Sequence, residues 1–144
     1  MMWEELYLGR LAGIDEIQIA LGKALGIAPG TIRVVDDLAE APLPHDPATR
    51  LLVERYVYPG EFPMRLSCNV FDVPAVDALT VVRKVCTALQ TTCLIGDDSP
   101  DDSVWLRVAL DGTVERVLVD DEALERDELR VAQVLDVERA RTAA

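Results

Sequence analysis

The stretch LLVERYVYPGEFPMRLSCNVF, residues 51–71, decides how this chain is read. Two β-rich runs, Leu51 to Tyr58 and Pro63 to Phe71, flank Pro59, Gly60 and Glu61, the composition of an antiparallel hairpin. In the second run Met64, Leu66, Cys68 and Val70 alternate with Arg65, Ser67 and Asn69. Side chains two residues apart share a strand face, so one side of this sheet is expected to be packed and the other wet.

Upstream, Ile14, Ile17, Leu21, Ala24 and Leu25 follow helical spacing between Ile14 and Ile27, with Asp15 and Glu16 in the first turn and Pro29-Gly30 past the end. Thr31 to Val35 reads as a strand that runs into Asp36-Asp37. Residues 39–50 hold three prolines, Pro42, Pro44 and Pro47, and read as a surface loop. Residues 3–9 are expected as a short strand or an extended arm docked through Trp3, Leu6 and Leu8.

Downstream, Pro74 precedes a helix whose face is Val76, Leu79, Val82, Val85, Cys86 and Leu89. Thr91 to Ile95 reads as a strand. Val104 to Leu110 and Val114 to Val119 alternate around Asp111-Gly112, a strong hairpin signal. After Asp120, Leu124, Leu129, Val131, Val134 and Leu135 permit a terminal helix, or a helical turn followed by an edge strand. Residues 137–144 are expected to fray. The order helix, strand, hairpin occurs twice. These elements predict an α+β fold: a mostly antiparallel sheet of about five to seven strands with two main helices packed on one face.

The chain has 144 residues, the length of a single domain, and half of them are hydrophobic. Cys68, Cys86 and Cys93 are odd in number, lack C-x-x-C spacing and sit in apolar runs, as buried thiols do in a reducing compartment. The acidic start, Met-Met-Trp-Glu-Glu, does not resemble a secretory leader, and no run approaches the roughly 18 apolar residues of a membrane span. A cytoplasmic protein without a membrane partner is expected.

Charge carries the functional reading. Against 14 Lys and Arg stand 26 Asp and Glu, a formal net charge of -12. The acids bunch at expected strand ends: Asp36-Asp37, then Asp97, Asp98, Asp101 and Asp102, then Asp120-Asp121-Glu122. A field of this sign repels nucleic acid and accelerates encounter with a cationic protein. The run from Asp97 to Asp102 lacks the Gly and Glu positions of a calcium-binding loop, and Pro100 interrupts it. His45, the single histidine, lies in the Pro-rich loop, where nothing marks a Ser-His or Cys-His mechanism. Phosphate-cradling and zinc spacings do not occur, so no cofactor, metal or catalytic residue is expected. Tyr56 and Tyr58 share one strand face, and Trp105 shares another with Arg107. Aromatic and Arg residues of this kind anchor interfaces. The predicted partner-binding set is therefore Asp97, Asp98, Asp101, Asp102, Trp105, Arg107, Tyr56 and Tyr58.

From Ile14 to Leu135, the order of elements, small size and acidity resemble the chaperones that bind effector proteins in specialised bacterial secretion systems. Small acidic immunity proteins that block a basic toxin are similar in the same general way. The amino-terminal segment, the Pro-rich insertion and the charge-broken final helix depart from the chaperone pattern, so no groove or dimer helix is transferred to named residues. The expected function is non-catalytic capture of a basic protein partner, by an immunity or inhibitor protein that neutralises a toxin. A secretion chaperone is the alternative, and a small hydrolase working through carboxylates is the alternative from another class. Monomer and homodimer both stay open.

Overall fold

A computed structural model describes residues 2–37, 39 and 46–138. Its elements in chain order are β1 (Glu5–Leu8), α1 (Ile14–Leu25), a 3-10 turn (Pro29–Thr31), β2 (Ile32–Val35), β3 (Leu51–Val57), β4 (Met64–Val70), α2 (Ala78–Leu89), β5 (Cys93–Gly96), β6 (Val104–Val108), β7 (Val114–Val119), α3 (Asp121–Glu125) and β8 (Val131–Glu138). The strands form one eight-stranded sheet in the order β2-β3-β4-β1-β5-β6-β7-β8. The sheet is thus larger than expected, and mostly antiparallel as expected.

Of the two alternatives for residues 3–9, the strand is the one formed, and β1 lies at the centre of the sheet. Glu5, Leu6, Tyr7 and Leu8 pair antiparallel with Ser67, Leu66, Arg65 and Met64, while Tyr7 and Leu8 pair with Leu94 and Cys93 of β5. Leu6 and Leu8 have no exposed surface. A four-residue strand persists here because both of its edges are hydrogen-bonded and one face is fully buried.

The two main helices pack on one sheet face, over Leu6, Leu8, Ile32, Val34, Leu51, Val53, Met64, Leu66, Cys93, Ile95, Leu106 and Val108. α1 contributes Ile17, Ala20, Leu21, Ala24 and Leu25, and α2 contributes Val81, Val82, Val85, Cys86 and Leu89. α1 begins where the Glu16 carboxylate accepts the Gly13 N–H at 3.1 Å, and ends at Gly26, whose φ of 70° lets its N–H bond the Gly22 carbonyl. α2 starts later than Pro74: the Asp77 side chain accepts the Thr80 N–H at 3.0 Å, and residues before it lie outside the helix. Cys86 and Cys93 are buried and Cys68 is half-buried, all as free thiols.

The hairpin at 51–71 holds, with Leu51 to Val57 paired to Val70 to Met64. The two halves of the chain diverge on one point. β5 and β6 pair antiparallel across the Asp-rich turn, whereas β2 and β3 pair parallel, Ile32 opposite Leu51 and Val35 opposite Glu54. A parallel pair needs a long crossover. The 39–50 segment spans that connection, and 46–50 are turn and irregular backbone as expected. His45 lies outside the described residues. After Asp120 the chain takes the second expected form: Asp120 caps α3 through bonds from the Glu122 and Ala123 N–H groups, and β8 follows as an edge strand. β8 continues through 137 and 138, and the rest of the expected frayed tail lies outside the described residues.

The second sheet face is not simply wet. The 59–63 turn folds over it from one end and the 120–130 segment from the other, and they meet in an isolated bridge between Gly60 and Leu129. Phe62 and Leu129 from these segments join Leu94, Val117 and Val119 of the sheet in a second, smaller apolar core, with Tyr7, Trp105 and Val131 packed at its margin.

Candidate binding face

Register places a continuous ladder across this second face. Tyr56 on β3 stands opposite Arg65 on β4, Arg65 opposite Tyr7 on β1, Tyr7 opposite Leu94 on β5, Leu94 opposite Arg107 on β6, and Arg107 opposite Glu115 on β7. A parallel row runs Glu54, Ser67, Glu5 on one side and Gly96, Trp105, Val117, Val134 on the other. Alternation along each strand therefore sorts the aromatic and ionic side chains onto one surface.

The contacts within the ladder are specific. Tyr7 and Trp105 meet edge to face with ring centroids 5.5 Å apart, and Tyr56 and Tyr58 stack at 6.4 Å. The Arg65 guanidinium lies 4.7 Å from the centre of the Tyr56 ring, and Arg65 Nε sits 3.1 Å from Glu5 Oε2. Glu5 in turn accepts the Ser67 hydroxyl at 2.8 Å. Burial raises the Tyr7 hydroxyl above the usual phenol range, against the pull of Arg65. The hydrogen bond with the Glu54 carboxylate holds the Tyr56 hydroxyl above it as well.

At one end of this face the ladder opens into a recess of about 270 Å³ lined by Met2, Glu5, Tyr7, Gly96, Asp97, Asp98 and Trp105. The Asp-rich turn supplies its acidic wall. Trp105 is tied to that turn, its Nε1 donating to the Asp102 carbonyl at 3.0 Å. Gly96 lies opposite Trp105 in register, and a Cβ built on it meets no heavy atom within 4 Å, so the strand floor is open at this position.

Three of the eight predicted residues, Asp97, Asp98 and Trp105, meet in this recess. The others do different work. Asp101 Oδ1 accepts the Ser103 N–H at 2.9 Å and so shapes the turn, while Asp102 is exposed on its rim. Arg107 pairs with Glu115 through two bonds of 3.0 and 3.1 Å. Tyr56 and Tyr58 lie farther along the same face with Arg65. Of the acidic clusters, Asp97 to Asp102 and Asp120 to Glu122 share one end of the sheet, joined where the Ser103 hydroxyl donates to Asp121 at 2.7 Å. Strand directions place Asp36-Asp37 at the opposite end, where Asp36 is clamped by Arg55. Glu5, Tyr7 and Gly96 were not singled out from sequence. The signal available was the Glu-x-Tyr spacing in residues 3–9, which becomes meaningful only once that segment is a central strand.

Among the described residues no group of three or more His, Cys, Asp or Glu side chains is placed to hold a metal ion, and no helix is long and apolar enough to cross a membrane. No protein-family model matches the chain, and no curated protein and no solved structure is found to be similar to it.

Proposed function

We propose that this chain is a non-catalytic binding protein that captures a basic protein partner, in the manner of an immunity or inhibitor protein that neutralises a cationic toxin. One observation carries the reading: the recess that joins Asp97, Asp98 and Glu5 to the rings of Trp105 and Tyr7. Carboxylates facing aromatic rings suit the long apolar stem and charged head of an Arg or Lys side chain. A desolvated cation over an aromatic ring is worth up to about 2 kcal/mol, and each exposed ion pair about 0.2–1 kcal/mol. The negative field of the molecule brings such a partner in faster than neutral diffusion does. Tyr56 and Tyr58 extend the contact surface along the same face.

A titration with an Arg- and Lys-rich peptide tests this, read through Trp105 fluorescence in a Trp3→Phe background. Binding is expected to quench or shift Trp105 and to weaken with salt. Gly96→Val narrows the recess from its floor, where a Cβ meets no heavy atom within 4 Å, and should reduce the affinity while leaving the unfolding midpoint within the scatter of surface variants. Unchanged peptide binding by Gly96→Val would remove the recess from the mechanism.

A further inference from the structure

A second recess on the same face lies on the other side of Tyr7, between the sheet and the segment after α3. It is a cavity of about 110 Å³ lined by Tyr7, Tyr58, Phe62, Arg65, Leu124, Asp127 and Leu129. Its walls combine three aromatic rings, one guanidinium and one carboxylate. One feature is not accounted for by folding alone. Arg65 Nε is buried and makes no hydrogen bond: Glu5 lies beside it but the N–H is not aimed at the carboxylate. Asp127 follows the last turn of α3 with a left-handed φ of 58°, its N–H on the Leu124 carbonyl at 3.0 Å, and this helix end sets its carboxylate at the cavity wall.

The two charges select the ligand. A simple anion would meet Asp127 and a molecule of net charge -12, and a simple cation would meet Arg65. A molecule carrying both charges satisfies both groups, and aromatic walls favour a methylated ammonium as its positive end. Size narrows it further, since a cavity of about 150 Å³ accommodates benzene. This one is smaller but open on one side, which suits a ligand of about five to eight non-hydrogen atoms. We propose that this cavity binds a small zwitterion, with its carboxylate on Arg65 and its methylated ammonium among Tyr7, Tyr58 and Phe62 beside Asp127. The proposal does not rest on capture of a basic partner, because Tyr7 is the single residue that lines both recesses.

Titration of the intact protein with glycine betaine, followed by calorimetry and by tyrosine fluorescence, tests it. Saturable one-to-one binding is expected, with tetramethylammonium and acetate each at least about tenfold weaker because each satisfies one charge. Asp127→Asn retains a residue tolerant of the left-handed backbone, so it should fold normally yet weaken betaine by about tenfold. Tyr58→Leu should weaken betaine and tetramethylammonium together and leave acetate unchanged. The proposal is overturned if betaine shows no saturation, which makes the cavity a water site only. It is equally overturned if either single-charge probe binds as tightly, or if folded Asp127→Asn binds betaine like the parent. Gly96→Val should leave betaine binding intact, so failure here and failure of partner capture are separable.

Discussion

Replacing Gly22 by Ala sets two opposed effects against each other. Inside a helix, Ala is favoured over Gly by roughly 0.8–1 kcal/mol, so propensity alone makes this change stabilising. The surroundings reverse the sign. A Cβ at Gly22 would stand 2.9 Å from the Ile27 carbonyl oxygen and 3.3 Å from Pro29 Cγ. The first contact is with backbone, which has no rotamer to give. Relief requires the turn after α1 to back away, and that turn is fastened to the Gly22 carbonyl by the Gly26 and Ile27 N–H groups at 2.9 and 3.1 Å. Overpacking of this kind costs about 1–3 kcal/mol, and each weakened hydrogen bond up to about 1 kcal/mol. The net expectation is destabilisation by about 1–2 kcal/mol, or a fall in the melting temperature of roughly 2–8 °C. Urea unfolding of the variant beside Gly30→Ala isolates the effect, because a Cβ at Gly30 meets nothing within 4 Å and that control should shift by less than about 0.5 kcal/mol. A Gly22→Ala protein as stable as the parent, or more so, refutes the close approach.

Leu6→Ala removes a fully buried side chain from the central strand and should cost about 3–5 kcal/mol in denaturant unfolding; a loss below about 1 kcal/mol would place β1 at the margin of the sheet. Hydrogen bonding to Arg130, then to the Ala123 N–H, holds the Asp120 carboxyl below its ordinary range, and the Thr80 N–H and hydroxyl do the same for Asp77. A depressed folded-state pKa contributes stability that is present above the unfolded value and lost as pH falls through the folded one. The unfolding midpoint should therefore drop as pH is lowered below about 4, with a shallower drop in Asp120→Asn. Cys86 and Cys93 are buried, and the hydrogen bond to Cys86, followed by burial, raises the Cys93 thiol. Both should resist a thiol-labelling reagent until the protein is unfolded, and rapid labelling of either in the native state would contradict the packing of α2 on β5.

Local pattern foretold much of this structure. The alternation from Met64 to Cys68 does separate a helix-facing row from a row on the second face, with Val70 exposed at the strand end, and Ile17, Leu21, Ala24 and Leu25 do form the buried side of α1, with Ile14 exposed at its start. Asp111-Gly112 turns β6 into β7 with Gly112 at a φ of 83°, the conformation that its sequence signature implies. What escaped depends on long-range pairing. Residues 3–9 become the middle of the sheet because β4 and β5, each far away along the chain, leave a two-sided gap for them. The parallel pairing of β2 with β3 depends on where the 39–50 connection returns, which no local periodicity encodes. The face expected to be wet carries a small core because Phe62 and Leu129 arrive on loops from opposite ends. In the recess, Asp97, Asp98 and Trp105 were legible as a charge run beside an aromatic. Their partners Glu5 and Tyr7 became legible only through the register of β1.

Partner capture through one acidic end, as opposed to the charge of the whole molecule, separates cleanly in a comparison of two charge-matched variants. Asp97→Asn with Asp98→Asn removes two charges at the recess, and Asp15→Asn with Asp37→Asn removes two exposed charges elsewhere. Stopped-flow association with the same Arg- and Lys-rich peptide, over a range of salt, should show the first pair binding several-fold more slowly and with a flatter salt dependence, and the second pair close to the parent. Equal losses from both pairs, or none from either, would contradict a localised docking site.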